Sequence, residues 1–368
     1  MRRGTLSILA AIAVISVLLA WYVGRTPQET IPQSGQPLLP DFLETFAKAR
    51  RIVLRSHEGK VTLVAKEAGR SWQVEERFGY AADLGKLRAL RDGWAALEVV
   101  EPKTARPEHF ADLDLTDLAD PQSKALQVQF LDEQGAILLD WLVGKHRYIP
   151  GGGEQQDYYV RSTKEHATWL ARGTIPLESK PEQWLDPQVV DIAADRIQAV
   201  HLIDAGLTVK PRDAVSVEVE GLAAGEEVIS QYALSNLVET LRTLQLNDVL
   251  PAGEIPAEQT PAARFRLDTK DGLRIDYRLV AHGEKKYALL KAEVIEQDDS
   301  PAKSPSSPAA KAEGGEKQEQ QGLSVEEEAK ALNTRWEPWA FELKSYDATK
   351  LLRERKDMVR KAQQQPRR

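Results

Sequence analysis

Cysteine is absent from the 368 residues, which removes disulfides, thiolate metal sites and thiol catalysis together. Histidine is scarce: the six, at positions 57, 109, 146, 166, 201 and 282, are scattered and form no His-x-x-x-His pair of the kind a helix-borne zinc site uses. Positive charge is not in excess. The formal net charge of -7 gives no electrostatic footprint for nucleic acid, so nucleic acid is not an expected partner. Neither a Gly-x-Ser-x-Gly elbow nor a Ser-x-x-Lys element at a helix start is found. The carboxylates Asp112, Asp114, Asp117 and Asp120 crowd together in "DLDLTDLADP", but the central glycine and terminal bidentate glutamate of a calcium loop are missing. Asp132, Asp140, Asp268 and Asp276 read as solvent-facing hairpin residues. No catalytic residue, metal site or cofactor is therefore expected.

Charge is also missing from one long run, Leu6–Val23, which follows Arg2 and Arg3 and ends in Trp21 and Tyr22. As a helix it would be about 27 Å long, matching the hydrocarbon core of a bilayer. Its aromatic end suits the interface, and the arginine pair favours a cytoplasmic N-terminus. The expectation is a single-pass anchor over residues 1–24 in a bacterial inner membrane, with a periplasmic body. Residues 25–49, rich in Pro and Gln, read as an extended spacer.

The body alternates strand-like runs with single helices and does so twice. "RIVLRSHEGKVTLVAKEAGRSWQVEE" predicts a meander, and Leu84, Leu87, Leu90, Trp94 and Leu97 predict a helix capped by Asp83. "ALQVQFLDEQGAILLDWLVGKHRYI", "DYYVRS" and "ATWLA" predict four further strands. A second pass follows: "DRIQAVHLIDAGLTVKPRDAVSVEVEG", a helix in "ALSNLVETLRTLQLNDVLP", and the hairpin "ARFRLDTKDGLRIDYRLVAHGEKKYALLKAEVI". Ile52 aligns with Ile197, Pro102 with Pro251 and Gly135 with Gly272, at offsets of about 140 residues. The predicted fold is α+β: two tandem repeats, 50–190 and 191–350, each an antiparallel sheet with one packed helix.

"RYIPGGGEQQDYYVRS" looks like a phosphate loop because of its three glycines. Its place in the pattern argues otherwise, since it joins strand to strand, whereas a phosphate loop leads into a helix. The expectation is a turn. Residues 297–333 read as a disordered insert, with "SVEEEAKAL" a candidate short helix. Residues 351–368 read as a helix running into a basic tail. Trp336 and Trp339, on either side of Pro338, are candidates for an exposed partner or ligand surface. Trp184, Asp186 and Pro187 in "QWLDPQ" read as a rigid hinge between the repeats, Pro187 holding Asp186 extended.

Several of these stretches carry a family likeness. "SWQVEERFGYAAD", "LDLTDLADP", "DYYVRS" and "QWLDPQVVDIAADRIQAVHL", in that order, resemble the bacterial domain of unknown function 4340, from about Arg50 to Val294 with a weaker return at "WEPWAFELKSYDATKLL". Ala81 stands where that pattern has proline, and Asp114 or Thr116 where it has glycine. The resemblance implies a membrane-tethered protein accompanying ABC-type transport systems, and brings no catalytic residue. The expected function is an auxiliary or scaffold protein of an envelope complex, partnered with an ABC-type permease or ATPase. A periplasmic glycan- or lipid-binding module and a hydrolase are the alternatives.

Overall fold

Residues 34–66, 71–213, 215–295 and 324–362 are described by the computed structural model. The anchor at Leu6–Val23, the start of the spacer, residues 297–323 of the insert and the last six residues lie outside them. Among the described residues no helix is long and apolar enough to cross a membrane.

A short helix, α1 (Phe42–Lys48), leads into the meander β1 (Arg51–Arg55), β2 (Lys60–Lys66) and β3 (Ser71–Val74), followed by the two-residue β4 (Tyr80–Ala81). Helix α2 (Leu84–Ala95) starts where the sequence places it, because the Asp83 carboxylate accepts from the amides of Gly85 and Lys86 at 2.7 and 3.0 Å. It ends earlier than the leucine spacing suggests. The β-branched pair Val99–Val100 extends instead as β5 (Glu98–Pro102). Then come β6 (Leu126–Leu131), β7 (Ile137–Tyr148), β8 (Gln156–Ser162) and β9 (Thr168–Gly173).

The same succession follows with β10 (Ile197–Leu202), β11 (Leu207–Pro211), β12 (Val217–Glu220), the short β13 (Glu226–Val228) and α3 (Gln231–Arg242). Ser230 caps α3 by accepting from Ala233 N, and Leu234, Leu237 and Leu241 are buried as predicted. Here too the helix stops short, and β14 (Leu246–Pro251) takes up what the leucine pattern assigned to helix. Strands β15 (Ala263–Thr269), β16 (Leu273–His282) and β17 (Lys285–Val294) complete the hairpin. Next come α4 (Val325–Trp336), β18 (Trp339–Leu343), α5 (Ser345–Leu351), α6 (Arg355–Met358) and β19 (Val359–Lys361).

The helix expected at SVEEEAKAL forms as α4 and runs on to Trp336, started by a reciprocal capping box between Ser324 and Glu327. Asn333 of that helix then clamps β17 by bonding both the amide and the carbonyl of Ala292. After residue 351 the described chain forms α6 and then β19, which pairs with β13, while Arg355 bonds Glu226 and Arg360 bonds Glu227; the end of the basic tail lies outside the described residues.

The chain divides into two compact units built from interleaved stretches, where the sequence reading drew one boundary after residue 190. Of the described residues, the first comprises 34–47, Leu90–Ala125 and Asp140–Pro176. Its strands run β7-β8-β9-β5, and segment 35–38 covers the edge of β5 through bonds from Gly35 and Leu38 and to Gln36. Its aromatic core holds Phe42 stacked on Trp94 at 6.2 Å, with Trp141 edge-on to Trp94. A second cluster joins Phe110, Leu115, Ala125 and Leu142. Gly93 is required inside α2: a Cβ there would lie 2.2 Å from the Thr174 carbonyl oxygen. The triple glycine joins β7 to β8, whose ends pair as Tyr148↔Gln156, so it is a turn, with Gly151 and Gly153 at φ +79° and +64°.

The second unit comprises Lys48–Ala89, Leu126–Leu139 and Leu177 onward. It contains the order β4-β3-β2-β1-β6 and an eight-stranded antiparallel sheet, β12-β11-β10-β15-β16-β17-β18-β14. Strict alternation of buried residues along β6 and much of β16 is what a sheet with one apolar face demands. Helix α3 covers that sheet, and Tyr277 on β16 donates its hydroxyl to the Leu241 carbonyl at 2.9 Å.

Candidate functional site

Three of the motifs singled out in the sequence meet in the second unit. The run from Trp72 to Asp83 supplies β3, β4 and the cap of α2. Segment Trp184–Val190 lies alongside it: Asp83 N donates to Trp184 O at 2.8 Å and Asp186 N to Ala81 O at 2.9 Å. On its other side the same segment binds residues 244–246, through Val189 N and Val190 N to Leu244 O and Leu246 N to Pro187 O. From the end of a 3-10 turn at Trp184 the segment is thus bonded on both sides, with isolated bridges at Leu185 and Gln188. Pro187 has no amide to offer and uses its carbonyl alone, which suits a strand-like strip.

Side chains lock this strip. Trp184 is fully buried, donates Nε1 to Glu178 O at 2.8 Å and carries Lys86 Nζ 4.9 Å above its ring. Asp186 spends one oxygen on Gln188 N and the other on Arg335, 3.1 Å away. Arg335 also donates to the Gln188 carbonyl. Trp184, Asp186 and Pro187 are therefore held by groups far away in sequence.

Trp336 is not the exposed surface residue its setting suggested. It is fully buried, with Nε1 on the Val189 carbonyl at 3.0 Å, because α4 delivers the ring inward before Pro338 breaks the chain toward β18. Trp339 is half-buried and meets Tyr80 edge to face, 5.3 Å between centroids. Phe341 flanks Tyr80 on a second side at 6.3 Å. Burial pushes the Tyr80 phenol up to about 12, against the opposing pull of the Arg335 guanidinium. In unfolded chain the phenol titrates near its ordinary value of 10. The folded state therefore holds its proton more tightly, and stability is full below about pH 10 and falls as pH rises toward 12. Tyr80→Phe is expected to flatten that alkaline loss, as measured by denaturant unfolding between pH 9 and 12.

An open cleft of about 310 Å³ lies at this meeting point, lined by Trp72, Asp83, Leu84, Arg88 and Asp186 among others. Of its two carboxylates, Asp83 caps a helix and Asp186 is held by the Arg335 guanidinium.

The remaining sequence candidates scatter. Asp112 pairs with His109, Asp117 with Arg161, and Asp120 caps the Gln122 amide. Asp132 caps its own hairpin turn by accepting from Gln134 and Ala136. Asp268 is a correction: it is buried, not solvent-facing. Burial alone would raise its carboxyl, but Arg274, bonded through both Nε and Nη2 at 2.7 Å, and His201 hold it below the usual range. His201 places Nε2 3.1 Å from Asp268 and Nδ1 3.0 Å from Thr208 Oγ1. Sequence reasoning missed this relay because its members sit on β10, β11 and β15 with no local spacing to mark them. It ties neighbouring strands together. Among the described residues no group of three or more His, Asp or Glu could hold a metal ion.

No curated protein and no solved structure matches this chain. A family model does, over residues 72–275, more than half of the chain, a stretch that opens at Trp72 and takes in the whole Trp184–Val190 strip. The chain belongs to the family described as domain of unknown function DUF4340.

Proposed function

We propose that this protein is a membrane-anchored auxiliary or scaffold subunit of an envelope complex, without catalysis of its own. The anchor is Leu6–Val23 in a bacterial inner membrane, the body is periplasmic, and the partner is an ABC-type permease or ATPase. The observation that carries the reading is how the family-signature residues are used. Trp72, Asp83, Trp184 and Asp186 converge, and the polar groups of Asp83, Trp184 and Asp186 are spent on backbone amides, carbonyls and one guanidinium. A signature that fixes backbone points to a shape held for a partner.

The body is further read as two tandem copies of one unit. Matching pairings support this: β1 lies between β2 and β6, and β10 between β11 and β15. The strand after each helix returns to the last strand of its copy, β5 to β9 and β14 to β18, and each of those pairs carries a register shift. Helix α4 and its preceding insert are an elaboration of the second copy between β17 and β18.

The test is a crosslinked pull-down of the full-length protein from native membranes, read by mass spectrometry, beside a control that keeps the anchor and lacks the body after Arg50. Body-dependent recovery of an ABC-type permease or ATPase is expected. Recovery of nothing beyond the control would remove the proposal.

A further inference from the structure

A cavity of about 420 Å³ lies against α3 and is lined by Ile197, Val217 and Val238 among others. Its rim arginines are already spent, Arg212 on Glu218 and Arg242 on Glu239. The opposite flank of α3 is different. An open cleft of about 280 Å³ runs between α3 and α5, lined by Glu239, Thr240, Thr243, Gln245, Asp347 and Lys350. Every lining side chain is polar and none is aliphatic.

We propose that this cleft binds an uncharged oligosaccharide. The lining charges balance locally: Arg242 holds Glu239 through two bonds of 2.6 and 2.7 Å, and Lys350 holds Asp347 at 3.1 Å. An ionic ligand would have to displace one of these pairs, whereas a neutral polyol need not. Hydrogen-bonding capacity remains. The hydroxyls of Thr240 and Thr243 donate to Asn236 O and Glu239 O, so Thr243 keeps its lone pairs for an incoming donor. Lys350 uses two of its three N–H groups, on Thr240 and Asp347.

Two exposed tyrosines stand near the cleft. Tyr346 is 71% exposed, and Lys350 sits 4.0 Å over one side of its ring. Tyr232 is 65% exposed and stands seven residues before Glu239. Seven residues are two helical turns, so Tyr232 lies on the same face of α3, about 10 Å further along. Lys344 bonds Gln245 and Lys350 bonds Thr240, so α5 runs antiparallel to α3, with Tyr346 beside the cleft on α5 and Tyr232 beyond it on α3. A tyrosine ring offers an apolar face with a polar rim, which matches the C–H face and hydroxyl edge of a pyranose.

Calorimetric titration of the full-length protein in detergent with chitotetraose (acetylated), cellotetraose and maltotetraose tests the assignment. Binding of at least one is expected, weakened tenfold or more by Tyr346→Ala and by Tyr232→Ala. Tyr148→Ala, an exposed tyrosine of the first unit, should leave it unchanged. Both cleft tyrosines are exposed, so far-UV circular dichroism of the variants should match the parent. No heat with any of the three sugars overturns the proposal, and so does binding that survives both substitutions or is lost equally in Tyr148→Ala.

Discussion

Trp184→Ala is expected to cost about 3–5 kcal/mol, the largest single-residue loss at the family signature. The ring is fully buried, so its removal leaves a cavity under the strip that runs to Val190. It also orphans the Glu178 carbonyl and removes the surface beneath Lys86. Trp184→Phe refills most of the volume but cannot donate, and should cost about 1–2 kcal/mol. Denaturant unfolding followed by far-UV circular dichroism checks both. A loss under about 1 kcal/mol for the alanine variant would mean that the strip is held without its plug.

Arg161→Ala should cost about 3 kcal/mol or more, for a different reason. The side chain is only 2% exposed, and its head group lies 4.4 Å over Phe110. Nη1 donates to the carbonyls of Ser162 and Glu165, and Nη2 to the Leu115 carbonyl and Asp117. One guanidinium thus ties β8 to the irregular segment that covers Leu142. Asp117 is 63% exposed, so the ion pair itself is worth little, and Asp117→Asn should cost less than about 1 kcal/mol. Comparable losses for the two variants would shift the weight from the carbonyl ties to the charge.

The elements that were legible in the sequence are those whose signal is local. The hairpins of β6–β7 and β15–β16 follow from period-two alternation around turns with glycine at φ +83° and +93°. Asp83 announces α2, and the leucines of α3 announce its buried face. Both helix ends were misplaced for one reason: Leu97, Leu244 and Leu246 are buried whether the chain continues as helix or as strand. Pairing with β9 and β18 decides for strand, and the sequence carries no local mark of a partner about 70 to 100 residues away. Trp336 was misread because Pro338 suggested an exposed break, while the capping box at Ser324 that aims α4 inward lay inside a stretch of low apolar content. The QWLDPQ motif stands out in the sequence as a rigid hinge, and the structure shows the bonds its residues make. Its backbone partners at 81–83 and 244–246 could not be named, because backbone bonds leave no trace in side-chain pattern, and Arg335 and Trp336 lie about 150 residues away with no local spacing to mark them.

The central claim is that the family-signature residues form one fastening. Hydrogen exchange of backbone amides tests it most directly, read in the native protein at low denaturant. Asp83, Asp186, Val189, Val190 and Leu246 come from three separate stretches and are joined across the strip. They should exchange through one cooperative opening, with a shared free energy and a shared denaturant dependence. If residues 186–190 instead exchange quickly while Asp83 and Leu246 stay protected, the strip is an ordinary surface loop and the account is wrong.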